Sequence, residues 1–375
     1  MKITINTKAL KETLNTLIKV IPNRVIDPRL NNVLIMAADG KTAFLVSDNE
    51  TALSITAKED DGTIAVEGVT AAPAKLLAEI VRTIEDDTVT IEQEETSLLV
   101  SWKNGHSRMP FYDGKDFPET VLSVTDCTET KTEPGKLAEM IQSVIYAIAS
   151  DPVRPALNGV FLGMGENGLT AVATDTHRLP VTELSGVPTS SPESFIIPAK
   201  AASIVKSIFS ENEVTIRYDG KHAIFQSDGT TLSFIPVKGK YPDFKRVIPK
   251  NNNNLLTIDR EAFAETVKRI MVCSNKMNNT VKMEIHTDLT GQTATLSAED
   301  LGFKTTAKET LPVEYVGEDI VIGLKGNYFI ETLNSLPGER IKIAIDSPKK
   351  PILITPENQT EGIEKACVLM PVMVS

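Results

Sequence analysis

The chain gathers its reactive side chains most densely in one short run, ATDTHRLP, which holds Asp175, His177 and Arg178. A carboxylate beside an imidazole can orient a general base, the arrangement that a hydrolase-type site uses to activate a nucleophile. This run supplies no evident nucleophile. The corresponding stretches SDNETAL and SAEDLGF keep an acid, Asp48 and Glu299, but neither the His nor the Arg. A recurring acid in such a place serves a turn, by accepting backbone N–H groups. An enzyme built on Asp175, His177 and Arg178 is therefore the alternative reading, and the cluster is expected to be a special feature of the middle of the chain.

Other chemistries find less. The four histidines, His106, His177, His222 and His286, do not pair at ligand spacing, so no metal site is expected. Cys127, Cys273 and Cys367 are far apart and form no C-x-x-C, which fits reduced structural thiols in a cytoplasmic protein. Phosphate loops of the G-x-x-x-x-G-K-[ST] type and G-x-S-x-G elbows do not occur. The run Gly163 to Gly168 matches G-x-G-x-x-G, but a dinucleotide site needs that motif to open a helix. Here LTAVATD follows, an alternating strand pattern, and the glycines are read as a hairpin turn. No cofactor is implied.

Three sets of elements must hold these residues, and they recur. Leu10, Leu14, Leu17 and Ile18 form an amphipathic helix stripe; so do Leu137, Ile141, Val144 and Ile145, and again Phe263, Val267, Ile270 and Met271. A second helix in each set begins near Lys75, Lys200 and Lys325, spaced 125 and 125. The strands TVTIEQ, EVTIRY and RIKIAI come next, with Val89, Val214 and Ile341 spaced 125 and 127. Between the helices lie hairpin patterns: VLIMAADGKTAFLVSD, VFLGMGENGLTAVATD and VKMEIHTDLTGQTATLSAED. Landmarks in one order at nearly one spacing make a domain-sized repeat, with boundaries expected at 1–126, 127–251 and 252–375. Linkers are expected at Cys127 to Pro134 and Asn251 to Asn254. Each unit is α+β, two helices packed on antiparallel sheets.

At 375 residues, 41% of them hydrophobic, the chain has material for several cores. The N-terminus MKITINTKALKETL has no apolar leader segment, and no run is long enough for a membrane helix. The net charge of −11 counts against a simple nucleic-acid binder. Positive charge nevertheless sits at the starts of the second helices. If the units join end to end, Lys75, Lys200 and Lys325 would line one surface.

At this point the blocks RPALNGV, ATDTHRL, KYPDFKRVIPK and VLMPVMV, in this order along the repeated units, resemble the bacterial DNA polymerase III beta subunit family over the whole chain. The resemblance implies three clamp-type domains per chain and a head-to-tail homodimer closed into a ring around duplex DNA, with no catalytic activity. Such a ring holds DNA by topology, so a weakly positive bore suffices and an acidic exterior limits adventitious binding. It further implies a hydrophobic pocket for short linear peptides of polymerase subunits, the clamp loader and repair proteins. Carried over by position, that pocket comprises Leu157, Thr174, Thr176, His177, Arg178, Leu179, Pro242, Arg246, Val247, Val368, Leu369, Met370, Pro371 and Val372. The DNA side comprises Arg24, Lys75, Arg154, Lys200 and Lys325, and the subunit contact Met109, Phe111, Val272 and Cys273. The chain departs from the family pattern at Thr176, where Gly is usual, and at Pro180, where Ala is typical. Pro155 and Ala156 replace bulkier residues, and the last residues lack an Arg.

Overall fold

The computed structural model describes residues 1–21, 27–289 and 291–374; Arg24 lies outside the described residues. The expected helices form: α1 Thr7–Leu17, α2 Ala74–Arg82, α3 Lys136–Val144, α4 Ala199–Ile208, α5 Arg260–Met271 and α6 Gly326–Ser335. Their apolar stripes face inward. Leu10, Leu14 and Leu17 of α1, Leu137, Ile141 and Val144 of α3, and Phe263, Val267 and Ile270 of α5 are all buried. Helix starts are capped as short polar side chains allow: Asn6 Oδ1 accepts from the Ala9 N–H at 3.1 Å, and Asp259 Oδ1 from the Ala262 N–H at 2.7 Å.

By its contacts the chain divides into two compact units. The first comprises Met1–Ala138, Thr189–Ser191 and Lys200–Pro236. Its five-stranded antiparallel sheet runs Gly62–Val66, Lys2–Asn6, Thr88–Gln93, Leu98–Trp102, Gly105–Met109. Its nine-stranded sheet runs Tyr112–Asp113, Gly68–Pro73, Asn32–Ala38, Lys41–Ser47, Thr51–Thr56, Thr230–Phe234, Ala223–Ser227, Val214–Tyr218, Thr128–Thr132. The second unit comprises Glu139–Pro188, Pro192–Ala199 and Val237–Ser375. Its nine-stranded sheet runs Glu193–Pro198, Gly159–Gly165, Gly168–Val172, Arg178–Ser185, Ile363–Leu369, Ile352–Pro356, Arg340–Ile345, Asn254–Asp259, Glu314–Val316. A four-stranded sheet runs Thr305–Pro312, Gly291–Asp300, Thr280–Asp288, Ile320–Lys325. The core here includes Phe263 and Phe329, which meet edge to face at 5.4 Å.

Each nine-stranded sheet contains a seam where strands distant in sequence join. In the first unit Thr51–Thr56 pairs with Thr230–Phe234, and in the second Arg178–Ser185 pairs with Ile363–Leu369. A hydrogen bond closes each seam at the same place: the Ile235 N–H donates to Glu50 O, and the Met370 N–H to His177 O, both at 2.8 Å.

Three expectations need adjustment. The segment expected as a first linker contains a strand, Thr128–Thr132, paired with Val214–Tyr218. Thr128, Thr130 and Thr132 turn inward and Glu129 and Lys131 outward, so β-branched threonines carry an alternation that looks polar throughout. The recurring turn acid of the third set is Asp300 rather than Glu299. Asp48, Asp175 and Asp300 each accept two backbone N–H groups through Oδ1, from Glu50 and Thr51, from His177 and Arg178, and from Gly302 and Phe303.

The third lysine is out of register. Val33, Val160 and Val281 occupy one position in their hairpins, and the residues before them pair with Pro73, Pro198 and Lys325. Lys325 thus precedes its helix as the N-cap, whereas Lys75 and Lys200 lie inside theirs. The residue matching Lys75 and Lys200 is Asn327. Spacing changes at more than one place in the third set: its hairpin is longer, from Val281 to Asp300 against Val160 to Asp175, and so is its turn, where Asp300 and Thr305 enclose residues 301–304 while Asp175 and Arg178 enclose only Thr176 and His177. Gly163 to Gly168, by contrast, is the hairpin turn expected, with Gly165 paired to Gly168.

Candidate functional site

A cleft of about 280 Å³ opens in the second unit beside the seam. Its walls come from three stretches. Strand Arg178–Ser185 and the turn before it supply Thr174, Thr176, His177, Arg178 and Leu179; the turn containing Phe244–Arg246 supplies Tyr241, Pro242, Phe244 and Val247; and the last strand supplies Val368 and Met370, with Arg154 and Leu157 completing the rim. Leu157, Leu179, Tyr241, Phe244 and Val368 belong to one buried cluster. Phe161 packs beneath, 5.1 Å from the Tyr241 ring and 5.6 Å from the Phe244 ring. Burial pushes the Tyr241 hydroxyl far above its ordinary value, and it donates to Val172 O at 3.4 Å. Met370 and Val247 stay open at the mouth. An apolar floor under a few convergent polar groups is the usual form of a ligand groove.

Arg178 fixes one wall. Its side chain is only 6% exposed, yet it carries a full charge. Nε meets Asp175 Oδ2 at 3.1 Å, Nη1 pairs with Glu331, and Nη2 donates to Tyr146 O at 2.7 Å. The guanidinium also lies over Tyr328 at 4.4 Å and Tyr146 at 4.8 Å. The His177 ring stacks on Tyr328 at 5.6 Å. Asp175 is thus spent on its turn and on Arg178. Among the described residues no hydroxyl or thiol is hydrogen-bonded to the His177 ring. The cluster builds a wall, and it has no catalytic arrangement. Behind it, the Tyr146 hydroxyl donates to Cys367 Sγ at 3.5 Å, and burial raises both groups' pKa values.

The turn itself is strained. Thr174 Oγ1 donates to Arg178 O at 2.7 Å and accepts from the Thr176 N–H at 3.0 Å, which holds Thr176 at φ +75°. A β-branched residue rarely adopts this left-handed backbone, and glycine does so without cost.

Ten of the fourteen expected pocket residues line the cleft. The tail alternates as a strand must. Val368 and Met370 face the cleft, while Leu369 is buried in the core on the other face. Pro371 and Val372 lie beyond the cleft; the Val372 N–H donates to Gly323 O at 2.8 Å. Arg246 points outward, paired with Asp243 at 2.7 Å. Tyr241 and Phe244, which the sequence reading does not include, also line the cleft and come from the block KYPDFKRVIPK. Arg154, expected on the DNA side, sits on the rim, bound to Asp151 at 2.7 Å. A larger hollow of about 680 Å³ is open and of mixed lining, with Lys282, Glu299 and Lys308 beside Leu301, Met373 and Val374.

The remaining basic residues differ among themselves. Lys75 is exposed. Lys200 is held by Asp48 and Val20 O. Lys325 lies over the Tyr328 ring at 5.1 Å. Of the expected subunit-contact residues, Met109 is buried, Phe111 and Cys273 are half-buried, and Val272 is 71% exposed. No helix among the described residues is long and apolar enough to cross a membrane, and none of their side chains cluster as a metal site.

Comparison with known proteins agrees along the whole chain. Residues 1–123, 131–243 and 245–372 match the N-terminal, central and C-terminal domains of the DNA polymerase III beta subunit. The beta sliding clamp of Synechococcus elongatus is 26% identical over 368 residues, covering 95% of this chain and 96% of that protein. The beta sliding clamp of Pseudomonas aeruginosa is 27% identical, covering 99% of each. A crystal structure of a sliding clamp from Pseudomonas aeruginosa bound to griselimycin superposes with a TM-score of 0.92 at 25% identity, covering 100% of both chains.

Proposed function

Since this chain belongs to the bacterial DNA polymerase III beta subunit family, we propose that two copies close head to tail into a ring around duplex DNA and that the Arg178 cleft receives short peptides from polymerase subunits, the clamp loader and repair proteins. The chain is a sliding clamp, a non-catalytic processivity factor, and the hydrolase alternative has no support.

The observation that carries the ring is the fate of the sheet edges. In each seam one partner is the third strand after a second helix: Thr230–Phe234 after α4 and Ile363–Leu369 after α6. The matching strand after α2 is Gly105–Met109, the edge of the five-stranded sheet. The other partner follows the turn acid: Thr51–Thr56 and Arg178–Ser185. Its match is Thr305–Pro312, the edge of the four-stranded sheet. The two strands that the repeat leaves at sheet edges within one chain are complementary halves of a third seam. Two copies satisfy both by joining head to tail, and the unpaired backbone groups of both edges gain partners. Val272 and Cys273 border this edge, since Thr305 Oγ1 donates to Cys273 O at 3.3 Å. In this reading the domains span 1–126, 127–251 and 252–375, and Lys75 and Lys200 serve a weakly positive bore, with Lys325 two residues off the position they share.

A dimer of twice 40.8 kDa is expected in solution. After loading, the ring should stay on circular DNA and leave when the circle is cut. Equal retention on both forms would sink the topological mechanism. The cleft is expected to take griselimycin as a probe, with Met370 and Val247 at its mouth; titration unaffected by changes to these residues would remove the peptide site from this cleft.

A further inference from the structure

The third seam cannot be a copy of the other two. At both closed seams, a turn carbonyl accepts from the residue that follows the seam strand: Glu50 O from Ile235, and His177 O from Met370. The strand registers Leu98–Met109, Ala223–Phe234 and Ile352–Leu369 place Pro110 at the corresponding position. Proline has no N–H, so that hydrogen bond is chemically impossible at the third seam. The turn that would face it also differs. It encloses residues 301–304 in place of a two-residue turn. The lengthened turn carries Leu301 and Phe303, 81% and 80% exposed. Their surroundings on the single chain leave both almost fully in water, an expensive arrangement for two large apolar side chains in one short turn.

We infer that Leu301 and Phe303 form an apolar clasp that seats on Pro110 and Phe111 of a second copy of this chain, replacing the hydrogen bond that Pro110 cannot make. Pro110 is exposed and Phe111 half-buried in the single chain, next to Tyr112 at 52% exposure. The inference rests on the head-to-tail reading above and adds what fastens the joint. The clasp would give the third seam a specificity of its own. The two seams within the chain join a turn carbonyl to a strand-end N–H, where this joint would bring the turn's apolar side chains onto a proline, so neither can substitute for it.

The test uses the full chain and its Leu301→Ser/Phe303→Ser variant, with dimer dissociation followed by analytical ultracentrifugation. Burial of two such side chains per joint predicts that the variant's dimer dissociates at a concentration roughly a hundredfold higher or more. Phe303→Leu should keep most of the wild-type association. A wild type that is monomeric at micromolar concentration would overturn the ring and the clasp together. A dimeric wild type whose variant dissociates within about threefold of it would overturn the clasp alone and leave the ring standing. Both changes lie in an exposed turn, so the monomers should melt alike by circular dichroism. A variant monomer that melts well below the wild type would assign the loss to folding and overturn the clasp.

Discussion

Replacing Arg178 by Met keeps an apolar stem of similar length and removes the charged fork. The structure allows the cost to be worked out partner by partner. Asp175 is only 17% exposed and loses a charged partner, but keeps two backbone donors. Glu331 is half exposed and recovers water, so its share is small. Tyr146 O loses a charge-assisted bond of 2.7 Å, and two tyrosine rings lose a cation over their faces. Breaking a fully buried pair costs about 3–5 kcal/mol, and discounting for Glu331 leaves about 3 kcal/mol here. The Met370 amide reports this directly, because it donates to His177 O on the same turn. Amide exchange over residues 366–372 should speed up by roughly a hundredfold, since 1.4 kcal/mol is a factor of about ten. Glu331→Gln should change it by less than about tenfold. Acceleration below about fivefold in Arg178→Met would refute the claim that Arg178 holds this wall.

Three further outcomes follow from the site. Thr176→Gly should stabilise the turn by about 1 kcal/mol, because φ +75° suits glycine; slower exchange at the same amides checks it, and faster exchange contradicts it. Met370→Ala should weaken griselimycin binding by roughly tenfold in a calorimetric titration, while Val66→Ala, on an exposed strand of the other unit, should not. The Arg154 side chain, and then the Val153 and Arg154 N–H groups, hold the Asp151 carboxyl below its ordinary value. That loop is therefore stabilised above the ordinary carboxylate range and loosens as pH falls through the lowered value; in Arg154→Ala an NMR titration of Asp151 should move up toward the ordinary range.

Much of this was legible in the chain. The helix stripes and hairpin patterns are periodic signals from burial, and burial follows the same period in the fold. What misled was spacing used without register. The equal intervals of Lys75, Lys200 and Lys325 looked like equivalence, yet the Val89, Val214 and Ile341 intervals already differed by two residues. Those intervals sum several differences in length between the sets, among them the longer hairpin from Val281 to Asp300 and the longer turn at 301–304. The tail is ambiguous in sequence for a related reason. VLMPV is apolar throughout, and only the pairing of Val368 with Leu179 decides that Val368 and Met370 face the cleft while Leu369 faces the core. The threonine strand at Thr128–Thr132 was hidden because its inward residues carry hydroxyls.

Register also explains why the cleft belongs to one seam. The first unit has the same parts in the same places: the turn at Asn49 and Glu50, the strand end at Phe234 and Ile235, and Phe117 where the second unit has Phe244. The hollow there is only about 70 Å³. Glu119, Thr120 and Val121 stand over it, and Ala52 takes the place of Leu179. In the second unit the matching stretch is Arg246, Val247 and Ile248. Arg246 swings out to Asp243, and Ile248 packs against the buried cluster, so the floor stays uncovered. Opening such a floor exposes apolar surface that would otherwise stabilise the fold, and the Arg178 network offsets this by bracing the wall from behind. The first seam has Thr51 in that position, with no fork to brace an open groove. There the turn acid Asp48 is held by Lys200, which also reaches Val20 O, so a groove opened by shortening the side chains at residues 119–121 would have one ammonium behind its wall in place of a planar fork bound to two carboxylates and a carbonyl.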